Sequence, residues 1–121
     1  MILVVDDEPA IRELLRTVLE AEGYAVAAVA SADAALALAE RRPLELVLSD
    51  YSMPGLSGLD LLVELRARRI RVPFVLVTGS DPSEYRRHAA ALAIDAVLPK
   101  PLALTDLRRT VAAALASPRA A

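Results

Sequence analysis

The chain has 121 residues, of which 55% are hydrophobic and 25% charged, with a formal net charge of −2 and no cysteine. These values fit one compact domain with a full apolar core. They exclude a disulfide framework, a thiolate metal site and recognition of nucleic acid through global charge. No apolar run approaches a membrane span, and Asp6-Asp7-Glu8 falls where the apolar region of a secretory signal would run. The expectation is a cytoplasmic protein with no membrane insertion and no nucleic acid bound directly.

Ile2 to Val5 is a short apolar run that ends in Asp6-Asp7-Glu8, and Pro9 then opens a helix. Ile11, Leu14, Leu15, Val18 and Leu19 recur at i, i+3, i+4, i+7 and i+8. That spacing predicts one apolar stripe of an amphipathic helix, with Arg12, Glu13, Arg16 and Glu20 facing water and Gly23 as the stop. Tyr24 to Ala30 predicts a second strand. Ser31 caps a second helix carrying Leu36 and Leu38, which stops before Pro43. Leu46 to Ser49 has no polar interruption until its end, which predicts a strand buried on both faces. It delivers Asp50 and then breaks at Pro54, Gly55 and Gly58.

Ser57 and Asp60 make a capping-box start for a third helix holding Leu59, Leu62, Val63 and Leu65. Val72 to Val77 predicts a fourth strand ending at Thr78-Gly79-Ser80. Asp81-Pro82-Ser83-Glu84 then opens a short Ala-rich helix with Tyr85, His88 and Leu92 as its larger side chains. Ala96 to Leu98 is a brief fifth strand closed by Pro99-Lys100-Pro101. Leu104, Leu107, Val111 and Leu115 mark the last helix, and Ser117-Pro118 ends it.

Strand and helix alternate five times, with no gap long enough for another domain. The expected fold class is therefore α/β: a doubly wound (βα)5, flavodoxin-like three-layer sandwich with parallel strand order 2-1-3-4-5, with the expectation of one domain over residues 1–121 and no output domain. No dinucleotide site is expected, since no G-x-G-x-x-G comes after the first strand.

The C-terminal ends of parallel strands share one edge, where such sheets bind ligands. Strand one ends in Asp6-Asp7, strand three in Asp50, strand four in Thr78 and strand five in Lys100, the only lysine of the chain. Strand two, at the margin of that order, ends in Val29-Ala30 and offers no polar group. Singly, each of these residues reads as a helix cap, a strand end or a solvated charge; together on one edge they read as a site. Two carboxylates about 4 Å apart repel by about 4 kcal/mol at an effective dielectric near 20, so a cation among them is expected. All-oxygen donors favour a hard ion, and so few protein ligands favour Mg²⁺, with Asp7 and Asp50 as direct ligands. A metal-bound aspartate facing Lys100 and Thr78 is equipped to attack phosphorus.

At these residues the chain resembles the receiver domain of bacterial two-component response regulators, over essentially its whole length. Val4-Val5-Asp6-Asp7-Glu8 is similar to the family's acidic motif. Asp50-Tyr51-Ser52-Met53-Pro54 with Gly58 is similar to its D-x-x-M-P-x-x-x-G signature, Thr78-Gly79 to its T/S-A/G pair and Lys100-Pro101 to its K-P pair. The resemblance implies a phosphorylation-activated switch in a phosphorelay. Asp50 would accept a phosphoryl group from the phosphohistidine of a sensor histidine kinase or histidine phosphotransfer protein. Asp7, Asp50 and the backbone carbonyl of Ser52 would hold Mg²⁺, with Asp6 acting through water. Lys100 would pair with the acyl phosphate, Thr78 would swing toward it, and the Lys100-Pro101 bond would be cis. Helix one around Ile11 and Leu14 would dock the kinase, and the family pattern is compatible with a homodimer. Such a domain is not an enzyme on an external substrate; its chemistry is Mg²⁺-dependent self-phosphorylation and autodephosphorylation.

Ala93, Ile94 and Val97 depart from the family's Gly-Ala and following aromatic. Val97 removes the aromatic rotamer to which Thr78 is usually coupled in output through helix four, strand five and helix five. Ala103 stands where a capping Asp or Ser often begins the last helix, so fraying is expected there. Ser52 and Ser80 flank the site and are small enough to admit water; His88 reads as a surface side chain. Two rival readings are weaker. A haloacid-dehalogenase-type phosphohydrolase wants a second Asp where Ser52 stands, and an unphosphorylated interaction module would not need every phosphotransfer residue intact. The sequence leaves open whether this is a single-domain regulator or a piece of a hybrid kinase.

Overall fold

Strands β1 (Ile2–Val5), β3 (Leu46–Asp50) and β4 (Phe74–Thr78) are buried at every position. Their near-continuous apolar sequences have this cause, because helices cover both faces of these three central strands. The computed structural model describes residues 1–79, 81, 83 and 85–116, without the side chains of residues 88 and 89. Strands β2 (Val26–Val29) and β5 (Ala96–Pro99) close the two sides of the sheet, in the order β2-β1-β3-β4-β5. All four pairings are parallel, as expected for (βα)5 units.

Alternation along each strand divides the core in two. Leu3, Val5, Val47, Phe74 and Leu76 pack with Ala35 and Leu36 of α2 (Ala32–Arg41) and Leu61, Leu62 and Leu65 of α3 (Gly58–Ala67). Ile2, Val4, Leu46, Leu48, Val75 and Val77 pack with Leu15 and Leu19 of α1 (Pro9–Ala21) and Leu107 and Val111 of α5 (Leu104–Ala116). Helix α4 (Arg86–Leu92) lies on the α2/α3 side, through Leu92 and the preceding Tyr85. This is the three-layer sandwich. Among the described residues, no helix is long and apolar enough to cross a membrane.

The predicted caps are present. Ser31 Oγ accepts from Ala34 N–H at 3.2 Å. Ser57 and Asp60 form the reciprocal capping box at 3.1 and 2.9 Å. Gly23 closes the α1 terminus at φ +96°. The Lys100-Pro101 peptide is cis. At α5, where no capping side chain stands at Ala103, its carbonyl accepts from Leu107 N–H at 3.0 Å.

Five expectations change. Strand β2 is shorter than Tyr24 to Ala30, and β4 starts at Phe74, leaving Val72 buried but outside the ladder. In α1, Leu15, Val18 and Leu19 carry the buried stripe while Leu14 remains 45% exposed. In α3, Leu61 joins Leu62 and Leu65 inside and Val63 is 44% exposed, because one residue on from Leu62 turns the side chain about 100° away from the sheet. Helix α4 begins at Arg86, beyond the Asp81-Pro82-Ser83-Glu84 start; Ser83 N–H donates instead to Asp81 Oδ1 at 2.9 Å in a local turn. Ser80, Pro82, Glu84, Ser117 and Pro118, and the side chain of His88, lie outside the described residues.

Candidate functional site

The register sets the site. Val5 pairs with Ser49, Asp50 with Val77 and Thr78 with Pro99, so the polar residues at or just beyond the ends of these strands emerge at one edge. Asp50 is the last residue of β3 and only 5% exposed. Its surroundings hold it tightly. Ser49 Oγ donates to the Asp50 carbonyl at 2.9 Å, and Tyr51 N–H donates to the Val77 carbonyl at 2.9 Å. The loop then returns, with Gly58 N–H donating to the Tyr51 carbonyl at 2.8 Å. A Cβ on Gly58 would lie 2.4 Å from the Asp50 carbonyl oxygen and 2.9 Å from Leu76 Cδ1. Only glycine lets α3 begin this close to the strand end.

Lys100 comes directly after β5, and its backbone N–H donates to the Thr78 carbonyl at 3.0 Å. Its Nζ lies 2.9 Å from Asp50 Oδ1. Asp6 is 1% exposed and bonded on every side: its N–H donates to the Val29 carbonyl at 3.2 Å, and its Oδ1 accepts from Glu8 N–H at 2.9 Å. Carboxylate oxygens of Asp6, Asp7 and Asp50 lie within 4.8 Å of one another. Thr78 is buried at the end of β4, and Ser52 is exposed in the loop beyond Asp50.

The electrostatics are set by this crowding. Burial pushes the Asp6 carboxyl above the usual carboxylate range; the Glu8 amide opposes it, the charges of Asp50 and Asp7 add to it, and Lys100 opposes it. Burial alone would lower the Lys100 ammonium, but the hydrogen bond and charge of Asp50, with the charges of Asp6 and Glu8, outweigh burial and raise it. One ammonium among three carboxylates leaves a net negative pocket. Oxygen donors alone and no soft ligand make it suited to a hard divalent ion, and the donor set fits Mg²⁺.

Sequence reasoning placed Asp6, Asp7, Asp50, Thr78 and Lys100 at one edge, where they are found. Arg12 is a correction. Expected to face water, it is half-buried, and its Nη1 donates to the Asp6 carbonyl at 2.8 Å. Ser49 and the ring contact between Tyr51 and Tyr85 (centroids 5.9 Å apart) were also missed. No periodicity marks such contacts, because each joins residues through the packing of separate segments. Beside the site, Glu8, Ile11, Leu14, Lys100, Pro101 and Leu102 line much of a groove of about 230 Å³.

Residues 2–112 match the family model of the response regulator receiver domain. The chain belongs to that family. This receiver domain is 43% identical, over 106 residues, to the transcriptional regulatory protein AruR of Pseudomonas aeruginosa, covering 84% of this chain and 43% of that protein. The chain spans half or less of the length of the curated relatives it matches. Among solved structures it is similar to the receiver domain of NtrX from Brucella abortus, with TM-score 0.89 and 32% identity over 98% of this chain and 100% of that one. It is also similar to TrrA of Thermotoga maritima in complex with Mg²⁺ and BeF, with TM-score 0.82 and 35% identity over 93% and 96% of the two chains. Receiver domains are phosphorylation-activated switches of two-component signalling, and this chain is one. At two positions where the sequence departs from the pattern it otherwise resembles, Val97 is half-buried in β5 and Ala93 adopts φ +56°.

Proposed function

We propose that Asp50 is the phosphoacceptor of this switch. The observation that carries the reading is the buried Asp50 with Lys100 Nζ at 2.9 Å and two further carboxylates gathered beside it. An Asp50 carboxylate oxygen attacks the phosphorus of a phosphohistidine, the P–N bond breaks, and the imidazole leaves carrying a proton. Lys100 transfers its contact from Asp50 Oδ1 to a phosphoryl oxygen, and the Thr78 hydroxyl donates to another. Asp7, Asp50 and the Ser52 carbonyl would hold Mg²⁺ directly and Asp6 through water; bound there, the ion neutralises the carboxylates and the incoming phosphoryl oxygens. The TrrA complex, which holds Mg²⁺ with BeF, supports the choice of ion.

The phosphoryl donor is a sensor histidine kinase or a histidine phosphotransfer protein. It docks over the apolar groove at Ile11, Leu14 and Leu102, which opens beside Lys100. We place this exchange in the cytoplasm, with a homodimer as one form the domain can take. Water reaches the acyl phosphate past the exposed Ser52, so the switch resets by its own hydrolysis. Incubation with acetyl phosphate and Mg²⁺ and then intact mass measurement tests the reading. One phosphoryl adduct is expected, lost in Asp50→Ala. An adduct that survives Asp50→Ala, or none in the wild type, overturns it.

A further inference from the structure

We propose that Arg12 is a positioning residue for the cation site, setting the acidic turn from outside the carboxylate cluster. The inference rests on the proposed Mg²⁺ site and adds to it a residue that touches neither the ion nor the phosphoryl group.

The turn from β1 to α1 must hold two adjacent carboxylates toward a third, against their mutual repulsion. Glu8, the N-cap of α1, makes no side-chain cap bond. Three hydrogen bonds fix Asp6: its N–H to the Val29 carbonyl at 3.2 Å, its Oδ1 from Glu8 N–H at 2.9 Å, and its carbonyl from Arg12 Nη1 at 2.8 Å. The first ties the residue to β2 and the second sets the rotation of its carboxylate. The third is the only one of them that reaches back from the helix across the turn. Arg12 can do this because its own N–H donates to the Glu8 carbonyl at 3.0 Å, which fixes its backbone in the first helical turn. The Arg12 bond is the one that holds the Asp6 carbonyl, and with it the peptide that joins Asp6 to Asp7, so rotating that peptide to redirect the two carboxylates breaks it.

The sign of the effect separates positioning from charge. Arg12 is a cation near a cation site, so electrostatics alone predicts that removing it tightens Mg²⁺ binding. Loss of positioning predicts weaker binding, because the turn must be reordered as the ion enters. Loss of helix stability alone predicts a lower melting temperature with an unchanged dissociation constant.

The test is calorimetric titration of Mg²⁺ into the unphosphorylated full chain for wild type, Arg12→Met and Arg12→Lys, with thermal melts in the absence of Mg²⁺. Arg12→Met keeps the apolar stem and removes the donor. Its Mg²⁺ dissociation constant is expected to rise about tenfold, the size of effect typical for residues that orient metal ligands. Arg12→Lys, which can still donate to one carbonyl, is expected to fall between wild type and Arg12→Met, and it decides the matter should Arg12→Met fail to fold. Unchanged or tighter binding in the folded variants overturns the inference while leaving the phosphoacceptor reading intact. A wild type that binds no Mg²⁺ overturns both.

Discussion

Gly58→Ala puts one methyl group where the structure has no room for it. The added Cβ would lie 2.4 Å from the Asp50 carbonyl oxygen, 2.9 Å from Leu76 Cδ1 and 3.1 Å from the Asp50 carbonyl carbon. Leu76 can yield, being the end of a side chain; the Asp50 backbone cannot, because it is held in β3 and bonded by Ser49 Oγ. Either α3 withdraws by nearly an ångström or the strand end shifts. Overpacking of this kind costs about 1–3 kcal/mol, and a backbone neighbour puts this case at the upper end. Alanine's better helix propensity returns little, since residue 58 opens the helix and the Ser57–Asp60 capping box is unaffected. At roughly 3–6 °C per kcal/mol for a domain of this size, the melting temperature should fall by about 10 °C. Withdrawal of α3 also disturbs the backbone of Asp50, the proposed phosphoacceptor, so labelling by acetyl phosphate should slow at temperatures where the variant is folded. Urea denaturation and intact mass measure the two effects. Stability within about 0.5 kcal/mol of wild type would refute the steric argument.

Asp6→Asn should stabilise the metal-free protein at neutral pH while weakening Mg²⁺ binding. The folded Asp6 carboxyl is raised above its ordinary value, chiefly by burial, so its stabilising contribution is complete below the ordinary value of 3.8 and is lost as pH rises through the folded value. Denaturation of both proteins across the acid range without Mg²⁺ should show the variant gaining on wild type as pH rises; parallel curves would count against it. Ala93→Gly should stabilise by about 1 kcal/mol, because Ala93 sits at φ +56°, where a Cβ is crowded. A loss of stability in urea titration would show that the alanine methyl group is held by contacts that outweigh the strain. Leu14→Asp should slow phosphotransfer from the cognate kinase severalfold without changing the folded stability by more than about 0.5 kcal/mol, since the side chain is 45% exposed. Equal transfer rates in a timed kinase assay would remove Leu14 from the docking surface.

Much of the fold was legible because its signals are local. The uninterrupted apolar runs of β1, β3 and β4 report burial on both faces, and the caps at Ser31 and Ser57 report helix starts within a few residues. The site was legible because parallel strands bring their C-terminal ends to one edge. The polar residues at those ends are enough to assemble Asp6, Asp7, Asp50, Thr78 and Lys100. Spacing alone misplaced Leu14 and Val63 for the opposite reason, although the family resemblance put Leu14 on an exposed turn, as found. An apolar stripe says that a helix has an inner face, but how the helix is rolled on the sheet decides which flanking residue stays outside.

Residue type and spacing along the chain suffice for the strand order, the chemistry gathered at the sheet edge and the family. The distances belong to the packed molecule. Lys100 Nζ meets Asp50 Oδ1 at 2.9 Å because the register from β3 through β4 to β5 carries it there. Gly58 is required because α3 packs onto the Asp50 carbonyl, and Arg12 turns from solvent to the Asp6 carbonyl because α1 starts immediately beside the end of β1. These contacts join segments whose separation is set by side-chain packing between them, and no pattern within one segment records it.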